Sequence, residues 1–364
     1  MTEKPFTVVL AGGGTGGHVI PAVALAQILR ERGATVRFVG TKGRLEERLV
    51  PEAGFNIDYI DVRPLTGKSV MERILGFLSV PPAVIRSALL LKKMDPDVVM
   101  GVGGYVAGPA VLGAVMIGVS TAVLEQNATL GLTNRLLARW IDRAFVSYEA
   151  LMSAFPPDVA RVTGNPLKPS IVSASKQKRR RRKGSPVRIL VMGGSQGAKA
   201  IDEWVPEAMA KGGIADQVRV RHQCGAGRET EVLGAYRQAG IDASVVPFID
   251  DTAEAYLKSD FVVARSGATT VSELCAMGLP AVFLPYPHHA DRQQEKNAEP
   301  MRRCGAAVVL DEKASSVEEM ASAIRELVLD EAKRKAAASA AKALGRIDAA
   351  TMIADALQTM SERG

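Results

Sequence analysis

The sequence predicts an α/β protein of two doubly wound domains, each a mostly parallel sheet covered by helices on both faces. Three observations predict it. Short apolar, β-branched runs alternate with amphipathic segments along the chain, the pattern of right-handed βαβ units. The rhythm breaks at a Pro-containing, strongly basic stretch over residues 163–186 and then restarts. Each half opens with a buried run, a Gly-rich turn and a helix: VVLAGGGTGG in the first and ILVMGGSQGA in the second.

In the first half, strands are predicted at TVVLAG (7–12), TVRFVG (35–40), FNIDYIDV (55–62), DVVMGV (97–102), STAVLE (120–125) and RAFVSY (143–148). Helical periods lie between them, as over 21–32 and 70–93. Residues 98–124 carry no charge, and a spanning helix needs roughly 20 apolar residues. Glycines at 101, 103, 104, 108, 113 and 118, with Pro109, instead divide this stretch into strand, loop, small-residue helix and strand, so a buried βαβ segment is expected.

The second half repeats the pattern with VRILVMGG (187–194), VRVRHQCG (218–225), ASVVPFI (243–249), DFVVARSG (260–267), PAVFLP (280–285) and AAVVL (306–310). From Ser316 onward the chain is rich in Ala, Glu and Lys and helical by propensity. The expected domains are residues 1–165 and 166–345, with a closing helix over 346–364 packing back on the first and a flexible basic tract at 175–185. They are expected to face each other across a cleft into which both Gly-rich loops look.

Composition narrows the function classes. A chain of 364 residues with 47% hydrophobic and 23% charged residues is not a mostly disordered one. The net charge of +7 invites a nucleic-acid reading, but Lys176, Lys178, Arg179, Arg180, Arg181, Arg182 and Lys183 alone supply that excess. The tract reads as a solvated insertion. Cys224, Cys275 and Cys304 are scattered and form no CxxC pair, which fits a reducing cytoplasm. The start of the sequence has no signal-peptide pattern, so none is expected.

Gly12, Gly14 and Gly17 satisfy GxGxxG, but the dinucleotide reading also needs an acidic residue at the end of the second strand. That strand ends Val39-Gly40-Thr41, and the first carboxylate after it is Glu46. The glycines are still suited to an anion beside a helix start. His18 closes the loop, where a neutral imidazole accepts a proton from a hydroxyl. In the second half, residues 193–197 offer backbone donors to phosphate, and Glu273, early in the helix after RSGATT, suits a ribose diol. Gln293, Gln294 and Asn297 are amides suited to sugar hydroxyls. No metal-ligand cluster is expected, and Asp95 and Asp97 read as a turn around Pro96. These features together predict a nucleotide-sugar enzyme.

The motifs GGGTGGHVIPAVALA, GVGGYVAGP, EQNATLG, GNPLK, GGSQGA, RSGATTVSEL and DRQQ-x-x-NA, in this order across nearly the whole chain, resemble the MurG family within glycosyltransferase family 28. The resemblance implies a GT-B fold. It also implies metal-independent, inverting transfer of N-acetylglucosamine from UDP-N-acetylglucosamine to lipid I, without a cofactor, for peptidoglycan synthesis. His18 and Glu125 are then the catalytic candidates. Thr15, Gly16, Gly17, Asn127, Lys168, Ser195, Ile249, Ala268, Thr269, Thr270, Val271, Ser272, Glu273, Gln293 and Gln294 fall on the donor side, with Glu273 on the ribose. Gly14, Tyr105 and Gln126 fall on the acceptor side.

Two positions depart from the family pattern. Leu124 stands where a histidine is usual, which leaves His18 as the stronger base, and Lys168 stands where an arginine is usual, which keeps charge without bidentate geometry. A lipid acceptor requires a membrane-facing surface. Residues 63–93 carry six cations against the single Glu72, and Arg73, Ile74, Leu75, Phe77, Leu78 and Arg86 make the expected patch for an anionic membrane surface. The expected location is the cytoplasmic face of the bacterial inner membrane, beside cell-wall and division proteins. The enzyme rival is a UDP-N-acetylglucosamine 2-epimerase, which needs acidic and His groups that GGTGGH and GGYVAGP do not supply. Nucleic acid is not an expected partner, because no aromatic residue lies between Phe155 and Trp204 to interleave with the basic tract.

Overall fold

The structure is a computed structural model that describes residues 5–62, 70–179, 184–194, 197–288 and 291–362, without the side chains of 70–75 and 77. The chain divides into two compact units, Met1–Lys168 with Ile347–Gly364, and Pro169–Arg346.

In the first unit, β1 (Thr7–Gly12), α1 (Gly16–Glu31), β2 (Thr35–Gly40), α2 (Leu45–Glu52), β3 (Asn56–Tyr59), α3 (Val70–Met94), β4 (Val98–Gly103), α4 (Ala107–Met116), β5 (Ser120–Glu125), α5 (Leu132–Leu137), β6 (Arg143–Val146) and β7 (Ala160–Val162) follow in order. Their sheet is parallel throughout, in the order β3-β2-β1-β4-β5-β6-β7. β1 and β4 are buried at every residue, as strands covered on both faces must be, while the edge strand β3 is not. The short strand β7 was not predicted. Three partly covered residues, ARV, carry no apolar run or alternation long enough to read.

In the second unit the elements are α6 (Pro169–Ser175), β8 (Val187–Met192), α7 (Lys199–Gly212), β9 (Val218–Gln223), α8 (Glu229–Gln238), β10 (Asp242–Val246), α9 (Thr252–Leu257), β11 (Phe261–Ala264), α10 (Ala268–Met277), β12 (Ala281–Phe283), α11 (Gln293–Arg303), β13 (Ala307–Val309), α12 (Val317–Leu329) and α13 (Glu331–Ala343). The sheet order β10-β9-β8-β11-β12-β13 repeats that of the first unit. In both units the order reverses beside the first strand, at β1/β4 and β8/β11, and ligands of such sheets bind outside the carboxyl ends at that point.

The two sheets share a device at their opposite ends. Asp97 accepts the Thr7 N–H at 2.7 Å and Asp260 accepts the Arg188 N–H at 2.8 Å, so an aspartate before β4 or β11 pins the start of β1 or β8. Asp142 does the same for Thr121 of β5 at 2.7 Å. The last helix, α14 (Ala349–Ser361), returns to the first unit, where Ile353, Ala354 and Leu357 are fully buried with Leu10, Leu25 and Met100.

The basic tract is not wholly solvated. Arg179 is half-buried and donates to the carbonyl of Gly278, the left-handed C-cap of α10, and burial lowers its pKa. Its charge meets the negative end of that helix. Arg180–Lys183 lie outside the described residues.

Candidate functional site

At the β1/β4 point of the first unit, two Gly-containing loops lock together. The Gly13 N–H donates to the Gly103 carbonyl at 3.2 Å. Gly103 has φ +109°, and a Cβ there would stand 2.3 Å from His18 Nδ1, so only glycine lets the β4 loop lie against the imidazole.

The hydrogen bonds of His18 select its tautomer. Gln126 is buried and its Nε2 donates to the Val102 carbonyl at 2.8 Å, so its Oε1 remains the acceptor toward His18 Nδ1 at 3.3 Å. Nδ1 therefore carries the proton and Nε2 presents the lone pair. Burial lowers the His18 pKa below its ordinary 6.5, opposed by the charge of Glu125, the bonds to Gln126 and Val102 and the charge of Glu46. The ring is neutral near pH 7 and able to take a proton.

Both oxygens of Glu125 are engaged by its own loop. Its Oε1 accepts from Asn127 N and Nδ2 at 3.2 and 3.3 Å, and its Oε2 from Gly131 N and Asn134 Nδ2, both at 2.9 Å. A buried carboxylate with four donors shapes the loop after β5, and its charge also acts on His18. Asn127 is half-buried on that loop, and Leu124 lies in the hydrophobic core.

A second carboxylate, which the sequence reading passed over, sits beneath the first Gly-rich loop. Glu46 is buried; it accepts the Gly14 N–H at 2.8 Å, the Thr41 hydroxyl at 2.9 Å and the Thr41 N–H at 3.2 Å. A Cβ on Gly13 would fall 2.1 Å from its Oε1. The crease made by Gly13 and Gly14 thus already holds an anion. The donors left for a ligand phosphate are the first-turn amides of α1, Gly16 and Gly17, behind the N-cap Thr15. The Tyr105 hydroxyl joins this network 3.4 Å from Thr41 Oγ1. In the sequence Glu46 is one of two adjacent glutamates in an amphipathic helix, and nothing local marks it as the buried one.

In the second unit, the loop after β8 is held from β9: Gln223 Nε2 donates to Gly194 O at 2.9 Å and Gly193 N to Gln223 O at 3.2 Å. Ser195 lies outside the described residues. Behind this loop is a buried network that the sequence did not reveal. His222 bonds Tyr236 Oη and Asp202 Oδ1, each at 3.0 Å, and Arg228 donates to Asp202 Oδ2 at 2.7 Å. A pocket of about 450 Å³ beside it, lined by Gly197, Ala198, Lys199, Glu203, Arg228 and Glu231, has both cations within ion-pair distance of glutamates and so is poorly suited to an anion.

The other face of that point is α10. Thr269, Thr270 and Ser272 are half-buried, whereas Ala268 and Val271 turn their side chains inward, which leaves them backbone contacts with a ligand. Glu273 lies in the second turn, buried, and its Oε2 accepts the Tyr256 hydroxyl at 2.8 Å. Gln293 and Gln294, both half-buried, open α11. Gln294 Oε1 accepts the Tyr286 N–H at 2.9 Å, so the amide NH2 is what it offers a sugar. Ser266 Oγ donates to the Gln294 carbonyl at 2.8 Å, and Arg265 spans the carbonyls of Leu284 and Pro285 and the Glu312 carboxylate. The Ile249 side chain is buried after β10, and Lys168 is the half-buried last residue of the first unit before α6.

The expected membrane patch falls on α3, where the side chains of Arg73, Ile74, Leu75 and Phe77 lie outside the described residues. Leu78, Ile85 and Leu89 are 66%, 55% and 58% exposed, and their spacing places them on one stripe. The opposite face, Val84, Ser87, Ala88 and Leu91, is buried. Arg86 is exposed and only 3.8 Å from Asp61, an ion pair of little strength. Among the described residues no helix is long and apolar enough to cross a membrane.

Residues 8–146 match the Glycosyltransferase family 28 N-terminal domain and residues 188–353 the Glycosyltransferase family 28 C-terminal domain. The chain is 39% identical over 363 residues, 99% of each chain, to the UDP-N-acetylglucosamine--N-acetylmuramyl-(pentapeptide) pyrophosphoryl-undecaprenol N-acetylglucosamine transferase of Vibrio campbellii. Among solved structures it resembles Acinetobacter baumannii MurG, with a TM-score of 0.80 and 29% identity over 98% of this chain and 100% of that one. A UDP-GlcNAc 2-epimerase from Neisseria meningitidis bound to UDP-GlcNAc shares the fold at a TM-score of 0.67, with 15% identity over 97% of this chain and 100% of that one.

Proposed function

The chain belongs to glycosyltransferase family 28, and from that premise we propose that it transfers N-acetylglucosamine from UDP-N-acetylglucosamine to the C4 hydroxyl of the muramoyl sugar of lipid I. The observation that carries the mechanism is the tautomer of His18: Gln126 Oε1 takes the Nδ1–H, which leaves the lone pair on Nε2. The acceptor O4 attacks the anomeric carbon as its proton passes to Nε2. The new C1–O4 bond forms as the bond from C1 to the diphosphate oxygen breaks, and UDP leaves with inversion. Backbone amides of the Gly-rich loops and the Lys168 charge stabilise the leaving diphosphate without a metal ion. Glu273 takes the ribose and the Gln293 and Gln294 amides the sugar, while Gly14, Tyr105 and Gln126 shape the acceptor side.

The enzyme works as a peripheral protein at an anionic membrane surface, on the cytoplasmic face of the bacterial inner membrane. The exposed stripe of Leu78, Ile85 and Leu89 and the lipid nature of the acceptor support this. The deciding assay follows labelled N-acetylglucosamine from the UDP donor to a lipid I analogue, with and without chelator. Chelator-resistant transfer is expected. Conversion of the donor to its 2-epimer in the absence of acceptor would overturn the reading.

A further inference from the structure

We propose that Tyr256 sets the donor site's preference for ribo- over 2′-deoxyribonucleoside diphosphate sugars, by fixing the carboxylate of Glu273. The proposal rests on the reading of Glu273 as the ribose carboxylate. Tyr256 is a fully buried positioning residue on α9, and its hydroxyl donates to Glu273 Oε2 at 2.8 Å. Asp251 caps α9 by accepting the Glu254 N–H at 2.8 Å, and α9 and α10 pack on each other and on α6. The phenol is therefore held on a short, anchored element.

A glutamate side chain has three rotatable bonds, and burying its carboxylate is costly unless donors meet it. A phenol meets one oxygen without cancelling the charge, as an ammonium would, so the carboxylate stays oriented and remains a strong acceptor for a diol. Burial, and then the charge and hydrogen bond of Glu273, push the Tyr256 phenol well above its ordinary range, so it stays a donor at neutral pH. A 2′-deoxyribose offers the carboxylate one hydroxyl fewer and gains less from this orientation.

The test compares KM and kcat for UDP-N-acetylglucosamine and its 2′-deoxyuridine analogue in the wild type, Tyr256→Phe and Glu273→Ala. In Tyr256→Phe the KM for the ribo donor is expected to rise about tenfold, the loss of one hydrogen bond to a charged group. kcat should stay within about twofold, and the deoxy donor should be little affected, because its weaker diol contact is already missing. The ribo/deoxy ratio then collapses toward that of Glu273→Ala. Because both donors are read in one variant, a loss of stability cancels from the ratio. Should Tyr256→Phe not hold its fold, Glu273→Asp withdraws the carboxylate from the phenol, keeps its charge, and is expected to lose the same discrimination. A wild-type ratio in Tyr256→Phe with a collapsed ratio in Glu273→Ala overturns the proposal alone. A wild-type ratio in Glu273→Ala overturns the ribose reading and the proposal with it.

Discussion

At His18 one chain of hydrogen bonds, Val102 to Gln126 to Nδ1, determines which nitrogen is basic. Replacing His18 with Ala should lower kcat by about 10²- to 10⁴-fold, the usual weight of a general base, and leave donor KM within about twofold. Because the base must be neutral, activity rises as pH climbs through the His18 pKa. Burial lowers that pKa, so the acid limb of kcat should lie below 6.5. The Glu125 charge opposes the lowering, so Glu125→Gln should move the limb further to the acid side. An unmoved limb in a pH–rate profile would show that Glu125 acts on the loop alone. Glu46→Ala strips acceptors from Gly14 and Thr41 and should destabilise the protein by at least about 2 kcal/mol in a denaturant titration.

At the scale of elements, α3 has two unlike faces. Its Val84–Leu91 side is buried as an ordinary packed helix requires, and its Leu78–Ile85–Leu89 side is exposed. Replacing these three leucine and isoleucine residues with Ser removes apolar groups that are more than half exposed. Vesicle sedimentation should fall by about tenfold or more, given roughly 0.8 kcal/mol per inserted CH₂, while the thermal midpoint stays put. A large drop in the midpoint with unchanged sedimentation would mean that the stripe serves packing.

At the scale of the whole molecule, the chain returns after the second unit to complete the first with α14. Leu357 is fully buried in the first unit's core. Leu357→Ala should cost about 2–5 kcal/mol. Hydrogen exchange should show the loss in β1 and β4 and spare β8 and β11, whose core contains no part of α14. Equal loss in both sheets would indicate that the units unfold as one.

By itself the sequence determined what short-range physics controls. Twelve of the strands, most helices and both Gly-rich turns follow from apolar periodicity and from glycine, which act within a few residues. The duplication of VVLAGGGTGG as ILVMGGSQGA foretold two sheets of like order. The tertiary structure decided the partners. His18 meets Gln126 across 108 residues, Gly14 meets Glu46 across 32 and Glu273 meets Tyr256 across 17. Nothing in their local sequence distinguishes Glu46 from Glu47, or names the four donors that meet Glu125. A buried carboxylate is defined by the donors that packing brings to it, and those are set only when the sheet closes around them.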